Sequence, residues 1–297
     1  MKTVLISGGT GLVGGILAKK LKSAGYRVRI LSRQKGEGHF YWNPEKNEID
    51  ASAFENLDAV IHLAGASIAK RWTTSCKKEL YSSRIDTSKL IFEQLKKSNS
   101  KIQCYISASG VNYYGTETSK HIFTEEDSNS ADFLGKLCAD WEAAAFDFEQ
   151  LGARVCVLRT SVVLSADGGM IKKLIPAAKF NMISALGSGN QIVPWIHIDD
   201  LTDMYKWLLE NPNLSGAFNA SATQIVNSTE FTQAFADAMG KRIILPNMPA
   251  FMLKLIFGET ASIMLKGSAV SNKKIKDTGF RFKFDNLETA FKNLLDG

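Results

Sequence analysis

The 297-residue sequence lacks any apolar run near the roughly 18 residues that a membrane-spanning helix needs, so no membrane partner is expected. Only one lysine precedes the first apolar run, which Ser7-Gly8-Gly9 interrupts at once, so no secretory signal is expected. The four cysteines lie at least 18 residues apart, a spacing that excludes CxxC metal and redox motifs and indicates no disulfide framework. We therefore expect a protein of the reducing cytoplasm with no bound metal.

Acidic residues are absent from positions 1–36, which contain eight Lys or Arg, while the whole chain has a net charge of +6. Two explanations remain open at this point: a solvated basic surface, or a phosphate-rich ligand that binds near this end. Elsewhere the basic residues are dispersed, and no basic patch interleaved with aromatic residues occurs. We therefore do not expect nucleic acid as a partner.

Short apolar runs alternate with segments of helical apolar spacing through the first half of the chain. The runs predict strands at residues 3–6, 27–31, 59–63, 104–107 and 154–159, with a further candidate at 39–42. The segments between them predict helices at residues 12–23, 74–97 and 134–150. Strands that alternate with helices imply right-handed crossovers, so we predict an α/β fold with a Rossmann-type doubly wound parallel sheet.

After about residue 164 the alternation weakens, and glycine and proline interrupt the pattern. Helices are predicted where Asp199-Asp200 opens a segment and at residues 228–239 and 249–266, with a short strand at 281–284. In an open α/β fold, inserts after the later strands lie over the cofactor crevice. We assign residues 1–165 to an NADP-binding Rossmann domain and 166–297 to a smaller C-terminal substrate-side lobe, interleaved with the first.

A glycine cluster joins the first predicted strand to the first predicted helix. Gly8 permits a tight turn, Gly11 lets backbone N–H groups approach a pyrophosphate, and Gly14 permits close packing of the helix on the sheet. The positive end of the helix favours the negative charge. We predict a dinucleotide site whose first contacts are Gly8, Thr10, Gly11, Leu12, Val13 and Gly14.

The second predicted strand ends where an NAD-selective site usually places an acidic residue that bonds the ribose 2′-hydroxyl. No acid occurs there before Glu37; Ser32 and Arg33 occupy the position, and a guanidinium suits a 2′-phosphate. NADP(H) is therefore the predicted cofactor, against the alternative that Arg33 is a solvated surface residue. The small residues of Leu63-Ala64-Gly65 let the adenine–ribose half pass close to the backbone.

The sequence resembles the extended short-chain dehydrogenase/reductase superfamily in three motifs and in their order along the chain. These are GGTGxxG, Leu63-Ala64-Gly65, and Ser-Ala-Ser-Gly followed by Tyr-Tyr-Gly. The chain is most similar to an atypical branch, the epimerase-family proteins, over nearly its whole length. The segments that support the branch are residues 71–72, 83–87, 140–144, 158–160 and 195–200, together with 257–259 and 279–282 in its C-terminal module. The resemblance implies further cofactor contacts at Ser107 and Val162.

The sequence departs from the wider superfamily at the proton-transfer pair. Ordinary members use Tyr-x-x-x-Lys, in which the lysine lowers the tyrosine pKa. None of the seven tyrosines here has a lysine four positions later, and Leu134 and Cys138 occupy the two expected positions. The branch shares this loss, so neither position supplies ordinary proton transfer, while Ser109 retains the usual upstream serine.

Arg84 stands where the superfamily usually has asparagine, and we predict that it contacts cofactor or substrate, with Glu79 nearby on the same helix. The alternative is a surface salt bridge between these two residues. Tyr113 and its neighbour Tyr114 are candidates for a displaced phenol, or pack at a strand end. Cys138 is either a buried thiol or a reactive one.

The two remaining expectations for single residues concern histidines, and the others concern function and assembly. His62 is expected in the core or a loop without a chemical role, and His197 is expected to anchor the turn before the helix capped by Asp199. The leading hypothesis is an NADP(H)-dependent oxidoreductase or epimerase-like enzyme acting on an unidentified small molecule, with Ser109, Arg84 and Tyr113 as candidate catalytic residues. The alternative is a non-catalytic NADP(H)-binding sensor or partner-binding module. Dimers are frequent in the superfamily, so a homodimer is a candidate assembly.

Overall fold

Nearly continuous apolar runs form the central strands, because a parallel sheet is buried on both faces. A computed structural model describes residues 1–296. Its strands are β1 Thr3–Ser7, β2 Arg27–Ser32, β3 His39–Asn43, β4 Glu48–Ile49, β5 Ala59–His62, β6 Cys104–Gly110, β7 Ile122–Phe123, β8 Arg154–Thr160, β9 Val162–Leu164, β10 Trp195–His197, β11 Gly216–Ala220 and β12 Ala269–Val270.

Eight of these strands form one sheet in the order β11-β8-β6-β5-β1-β2-β3-β4. Neighbouring strands are parallel except for β4, which pairs antiparallel with β3. The strand order reverses between β1 and β5, so the carboxyl ends of these strands flank a crevice. The predicted Rossmann-type parallel sheet is confirmed, and the candidate strand at 39–42 is present as β3.

Helices cover both faces of the sheet. The helices are α1 Leu12–Ser23, α2 Thr74–Tyr81, α3 Thr87–Lys97, α4 Phe133–Phe146, α5 Gly169–Lys179, α6 Ile198–Glu210, α7 Ser228–Ala238, α8 Ala250–Phe257, α9 Ser262–Leu265, α10 Lys273–Asp277 and α11 Leu287–Leu295. On one face, Leu17 of α1 and Tyr205 of α6 share a buried cluster. On the other, Ile91 of α3 and Ala145 of α4 share a second cluster.

A separate apolar core holds the C-terminal lobe together. It joins Ile171 of α5, Trp195, Phe231 of α7 and Phe291 of α11. Other parts of the chain after residue 165 return to the main sheet: β11 is its edge strand, and α6 packs against α1. The lobe therefore has its own core while the chain around it contributes to the sheet.

Four predicted elements differ from the structure. The single helix predicted at 74–97 contains a π-turn over Ser82–Asp86, which separates α2 from α3. The helix predicted at 134–150 ends as α4 at Phe146 and continues as a 3-10 turn. The helix predicted at 249–266 is broken at the positive-φ Gly258. The strand predicted at 281–284 is wrong, because the backbone N–H groups of Lys283 and Phe284 donate to the Asp200 carboxylate instead of a strand.

Within residues 1–296, no helix combines the length and apolar character needed to cross a membrane. The same part of the chain contains no cluster of three or more His, Cys, Asp or Glu side chains arranged to hold a metal ion.

Candidate functional site

The glycine turn between β1 and α1 brings three backbone segments together. Gly8 has a φ of +72°, and a Cβ there would lie 2.8 Å from the backbone of Leu63 and Ala64. A Cβ at Gly14 would lie 2.3 Å from the Gly8 carbonyl oxygen, so the helix packs directly on the turn. Both positions therefore require glycine, and the structure brings the predicted turn and the Leu63-Ala64-Gly65 segment into contact.

The start of α1 leaves its backbone donors available. Gly11 is the N-cap residue, no side chain caps the helix, and its first turn contains no acid. Apart from the residues next to it in the chain, the contact of a Cβ at Gly11 with the described residues would be the Gly8 carbonyl oxygen, at 3.3 Å. Thr10 and Gly11 are exposed, and Leu12 and Val13 are half-buried. An open, positively polarised helix end of this kind is suited to a phosphate group.

The end of β2 presents a buried serine and an exposed arginine. Ser32 is buried, and its Oγ accepts a hydrogen bond from the Gln34 N–H at 2.9 Å. Arg33 is exposed. Because β2 lies next to β1, these residues stand beside the glycine turn at the same edge of the sheet.

Arg84 lies in the π-turn between α2 and α3 and is buried, with 8% of its surface exposed. Its guanidinium donates to the carbonyl oxygens of Ala66 at 2.9 Å and Leu80 at 3.0 Å and lies over the Trp141 ring. Burial lowers the pKa of Arg84. A Cβ at Gly65 would be 3.1 Å from the Arg84 Cζ, so the guanidinium borders the segment that follows β5.

The alternative surface salt bridge between Arg84 and Glu79 is wrong. Glu79 instead pairs with Lys70 at 3.2 Å, and both side chains are half-exposed. The two residues are five positions apart, whereas side chains that face each other on a helix are three or four apart, and Arg84 is buried in the π-turn. The predicted cofactor contact of Glu79 stays a prediction, and the structure does not bring Glu79 to Arg84.

The carboxyl end of β6 carries the two predicted serines. Ser107 is fully buried, and its Oγ donates to the Ala108 carbonyl oxygen at 2.9 Å. Ser109 is 5% exposed, and its Oγ donates to Glu142 Oε1 at 2.7 Å. The Ser109 hydroxyl proton is thus held by a buried carboxylate, which leaves the Oγ lone pairs as acceptors.

Glu142 of α4 and Arg159 of β8 form a buried two-point ion pair. Arg159 Nε donates to Oε1 at 2.9 Å and Nη2 donates to Oε2 at 2.8 Å. Burial acts to lower the pKa of Arg159, but the hydrogen bonds and charge of Glu142 raise it above its ordinary value. Parallel donors in this geometry fix the carboxylate, and through it the Ser109 hydroxyl.

The two tyrosines after β6 both contact Arg159. Its Cζ lies 3.4 Å from the centre of the Tyr113 ring, and its Nη1 donates to the Tyr114 Oη at 2.8 Å. The Tyr114 hydroxyl in turn donates to Asn219 Oδ1 at 2.8 Å. Burial raises the pKa of Tyr114 to about 12. The Tyr114 phenol is committed to this network, and the ring of half-buried Tyr113 is held against the guanidinium.

Leu134 and Cys138, which the sequence resemblance places at the positions of the Tyr and Lys pair, are both buried on α4. Leu134 packs in a cluster with Trp72 and Leu80. A Cβ at Gly110 would be 3.8 Å from the Cys138 Sγ, so Cys138 faces the end of β6. Burial, together with the charge of Glu142, raises the pKa of Cys138 to about 12. A buried thiol of this kind is a poor nucleophile.

His62 and His197 each make hydrogen bonds that belong to the fold. His62 is fully buried, with Nδ1 2.6 Å from the Ser7 Oγ, and burial lowers its pKa to about 4. The predicted core position is confirmed. His197 is itself the N-cap of α6, since its Nδ1 accepts from the Asp199 N–H at 3.1 Å. The predicted anchor is therefore confirmed, although the cap is His197 and not Asp199.

Val162 of β9 is half-buried, and the residue before it, Ser161, has a polar group without a partner. The buried Ser161 Oγ makes no hydrogen bond within the described chain. Ser161 directly follows β8, the strand that carries Arg159. A buried hydroxyl in this state is available to a ligand or a water molecule.

Comparison with known proteins assigns the chain. The family model described as the NAD dependent epimerase/dehydratase family matches residues 4–221, and a domain of unknown function, DUF1731, matches residues 248–294. The chain belongs to the NAD-dependent epimerase/dehydratase family. This confirms the sequence resemblance to the epimerase-family branch and its C-terminal module.

Relatives of this family member match over nearly their full length. Epimerase family protein SDR39U1 of Mus musculus is 32% identical over 296 residues, covering 98% of this chain and 99% of that protein. Epimerase family protein Mb2239 of Mycobacterium bovis is 35% identical over 291 residues, covering 97% and 95%. The crystal structure of the human epimerase family protein SDR39U1 with NADPH superposes with a TM-score of 0.90 at 30% identity, covering 99% of both chains.

The polar residues at the centre of the candidate site were not predicted from the sequence. Glu142, Arg159 and Asn219 come from three distant segments, and their spacing in the sequence does not mark them as partners. One signal was available: Glu142 falls on the apolar face of a helix and Arg159 in an apolar strand, and buried charges usually require each other. Those two departures from apolar patterning indicate the pair once the elements are assigned.

Proposed function

We propose that this chain binds NADP(H) in the crevice at the carboxyl edge of β1, β2 and β5. The observation that carries the proposal is the uncapped, acid-free start of α1 behind the glycine turn, with Arg33 exposed at the end of the neighbouring strand. A related human structure, at 30% identity over 99% of both chains, contains NADPH.

The described residues fit such a cofactor. Backbone donors at Gly11, Leu12 and Val13 would hold the pyrophosphate, and Arg33 with Ser32 would hold the 2′-phosphate. The segment Leu63–Gly65 would border the adenine–ribose half. The nicotinamide half would lie near Ser107, Val162 and the Ser161 hydroxyl, which has no partner within the described chain. Arg84 acts by positioning, since its guanidinium holds the Ala66 carbonyl of that segment. When bound, the cofactor supplies a hydride donor or acceptor at nicotinamide C4.

We propose an oxidoreductase or epimerase-like reaction beside Ser109. The Ser109 proton is donated to Glu142, so the Oγ presents lone pairs and would accept a hydrogen bond from a substrate hydroxyl. Arg159 holds the carboxylate at two points and keeps that orientation fixed. The Tyr113 ring would form a wall of the substrate space, with its position set by the same guanidinium.

A second candidate function, a non-catalytic NADP(H) sensor or partner-binding module, rests on the state of the acid–base groups. The Tyr114 phenol donates to Asn219 and has a raised pKa, the Cys138 thiol has a raised pKa, and Glu142 is bound by Arg159. Neither the Tyr114 phenol nor the Cys138 thiol is prepared to exchange a proton near neutral pH. A chain of this kind can bind a cofactor and still lack turnover.

Substrate-dependent oxidation of NADPH distinguishes the two candidates. Purified protein is incubated with NADPH and panels of carbonyl compounds and nucleotide-sugars, and loss of reduced nicotinamide absorbance is followed. If the chain is an enzyme, the wild type should oxidise NADPH with some member of the panels. Ser109→Ala should lower that turnover about tenfold or more and change the affinity for NADPH little. Turnover that Ser109→Ala leaves unchanged contradicts the role of Ser109, and tight NADPH binding with no oxidation across the panels favours the sensor.

We also propose a reducing cytoplasmic location. Support comes from the four cysteines, all of which are buried free thiols in the described chain.

A further inference from the structure

The C-terminal lobe exposes large apolar side chains at one place. Apart from the N-terminal Met1, every large apolar side chain of the described chain that is more than half exposed lies in two short segments, after α5 and around α8. We call this surface the basic apolar face and define it by Phe180, Met182, Ile244, Phe251, Leu255 and Ile256. Their exposed fractions run from 56% to 77%. A concentration of this kind on a folded chain usually marks an interaction surface.

The two segments are joined to each other. The Met248 N–H donates to the Ala185 carbonyl oxygen at 2.9 Å, and the Gly187 N–H donates to the Met248 carbonyl oxygen at 2.9 Å. Within α8 only Leu253 is fully buried, and Phe251, Met252, Leu255 and Ile256 of this eight-residue helix are exposed. The exposure therefore follows from the composition of the helix and not from a frayed end.

Charge has a single sign on α5, on the segment that follows it and on the segment around α8. Residues 168–198 contain Lys172, Lys173 and Lys179 and no acid, and residues 238–258 contain Lys241, Arg242 and Lys254 and no acid. None of these six basic side chains forms a salt bridge within residues 1–296. A partner that covers this face must accept apolar side chains and supply negative charge.

We propose that the basic apolar face docks on the surface of an anionic lipid bilayer. Phe, Leu and Ile side chains interleaved with lysine are the composition that inserts at the boundary between headgroups and acyl chains. Anionic headgroups complement the six basic residues. A second copy of this chain would bring the same six positive charges opposite each other, so self-association through this face is disfavoured. The sequence-based expectation of no membrane partner rested on the lack of a spanning segment, which a peripheral contact does not need.

The face is attached at the crevice end of the sheet. The turn after α8 is fixed to the segment that follows β5, because the Trp72 N–H donates to Thr260 Oγ1 at 3.0 Å and Lys77 pairs with Glu259 at 2.7 Å. These contacts attach the chain after the face to the segment that follows β5 and to α2.

The test is sedimentation of the full chain with vesicles of phosphatidylcholine alone and of phosphatidylcholine mixed with phosphatidylglycerol. Binding is expected to the mixed vesicles and to be at least about tenfold weaker on phosphatidylcholine alone. Phe251→Glu with Leu255→Glu should weaken binding about tenfold or more, because two apolar side chains no longer insert. Lys254→Ala should weaken it about fivefold. The matched control is Ile225→Glu, which replaces an apolar side chain 45% exposed outside the face.

Thermal melting of each variant checks that the fold is retained. Four results would overturn the proposal, of which three are no sedimentation with mixed vesicles, equal affinity for both vesicle types, and a soluble dimer that Phe251→Glu with Leu255→Glu dissociates. The dimer would identify the face as a contact between copies. The fourth is loss of binding by Ile225→Glu to the same degree, which would show that the effect is not specific to the face.

Discussion

Replacing Glu142 by glutamine perturbs the centre of the polar site while keeping its shape. Glu142 Oε1 accepts from both Ser109 Oγ and Arg159 Nε, and Oε2 accepts from Arg159 Nη2. In Glu142→Gln, one amide oxygen can replace Oε1, but the NH2 group then faces the Arg159 Nη2 donor. The variant loses a charge-assisted hydrogen bond and leaves a buried guanidinium without its counter-ion.

The expected loss of stability follows from this geometry. Arg159 and Glu142 are 4% and 5% exposed, so water cannot replace the missing partner. Breaking a buried ion pair from one side costs about 3–5 kcal/mol. We expect about 3 kcal/mol, near the lower limit, because the Tyr113 ring and the Tyr114 Oη still contact the guanidinium. That is a large part of the roughly 5–15 kcal/mol of a typical domain.

The assay is urea unfolding of both proteins, with the free energy of unfolding extrapolated to water. The control is Glu117→Gln, which removes the exposed partner of Lys266 in a 3.0 Å surface pair and should cost less than about 1 kcal/mol. Combining Glu142→Gln with Arg159→Met should cost less than the sum of the single changes. A loss below about 1 kcal/mol for Glu142→Gln would refute the view that the pair is essential to the core.

Three further outcomes are expected. Cys138→Ser should leave NADPH affinity within about threefold, and the wild-type thiol should label slowly near neutral pH, because burial raises the pKa of Cys138 to about 12; rapid labelling would contradict this. Burial lowers the pKa of His62 from 6.5 to about 4, so on acidification the unfolded chain binds the proton before the folded chain does. The free energy of unfolding should therefore fall by about 3 kcal/mol as the pH drops from 6.5 to about 4. Urea titrations should show a weaker fall in His62→Gln. The wild type should form no appreciable product from UDP-hexoses with added NADP or NAD, and Leu134→Tyr with Cys138→Lys should not create this activity. Robust turnover by the wild type would show that another group transfers the proton.

Local patterns determine much of this fold, so the sequence predicted it well. Buried apolar runs marked β1, β2, β5, β6 and β8, and helix α1 was predicted with its observed bounds, Leu12–Ser23. The glycine spacing identified the turn because only glycine fits the close approach of Gly14 to the Gly8 carbonyl. The failed strand at residues 281–284 is instructive: its apolar alternation is real, but the buried Asp200 carboxylate, 83 residues away from Lys283, takes its N–H groups.

The site was less predictable because its contacts join distant segments. Ser109 was identified from its motif, yet its partner Glu142 lies 33 residues away. Arg84 was expected to face the crevice or solvent, and the π-turn that directs it to the Ala66 carbonyl has no reliable local sequence signal. Residues that act through tertiary contacts become visible only when the strands are in register.

The most direct test of NADP(H) binding is calorimetric titration of the wild type and Arg33→Ala with NADPH and NADH. A charge-assisted contact to the 2′-phosphate is worth on the order of 1.5–3 kcal/mol, so the wild type should bind NADPH roughly tenfold to a hundredfold more tightly than NADH. The exposure of Arg33 favours the lower end of that range. Arg33→Ala should weaken NADPH binding and leave NADH binding nearly unchanged, which narrows the gap. Equal affinities of the wild type for the two cofactors would contradict the assignment.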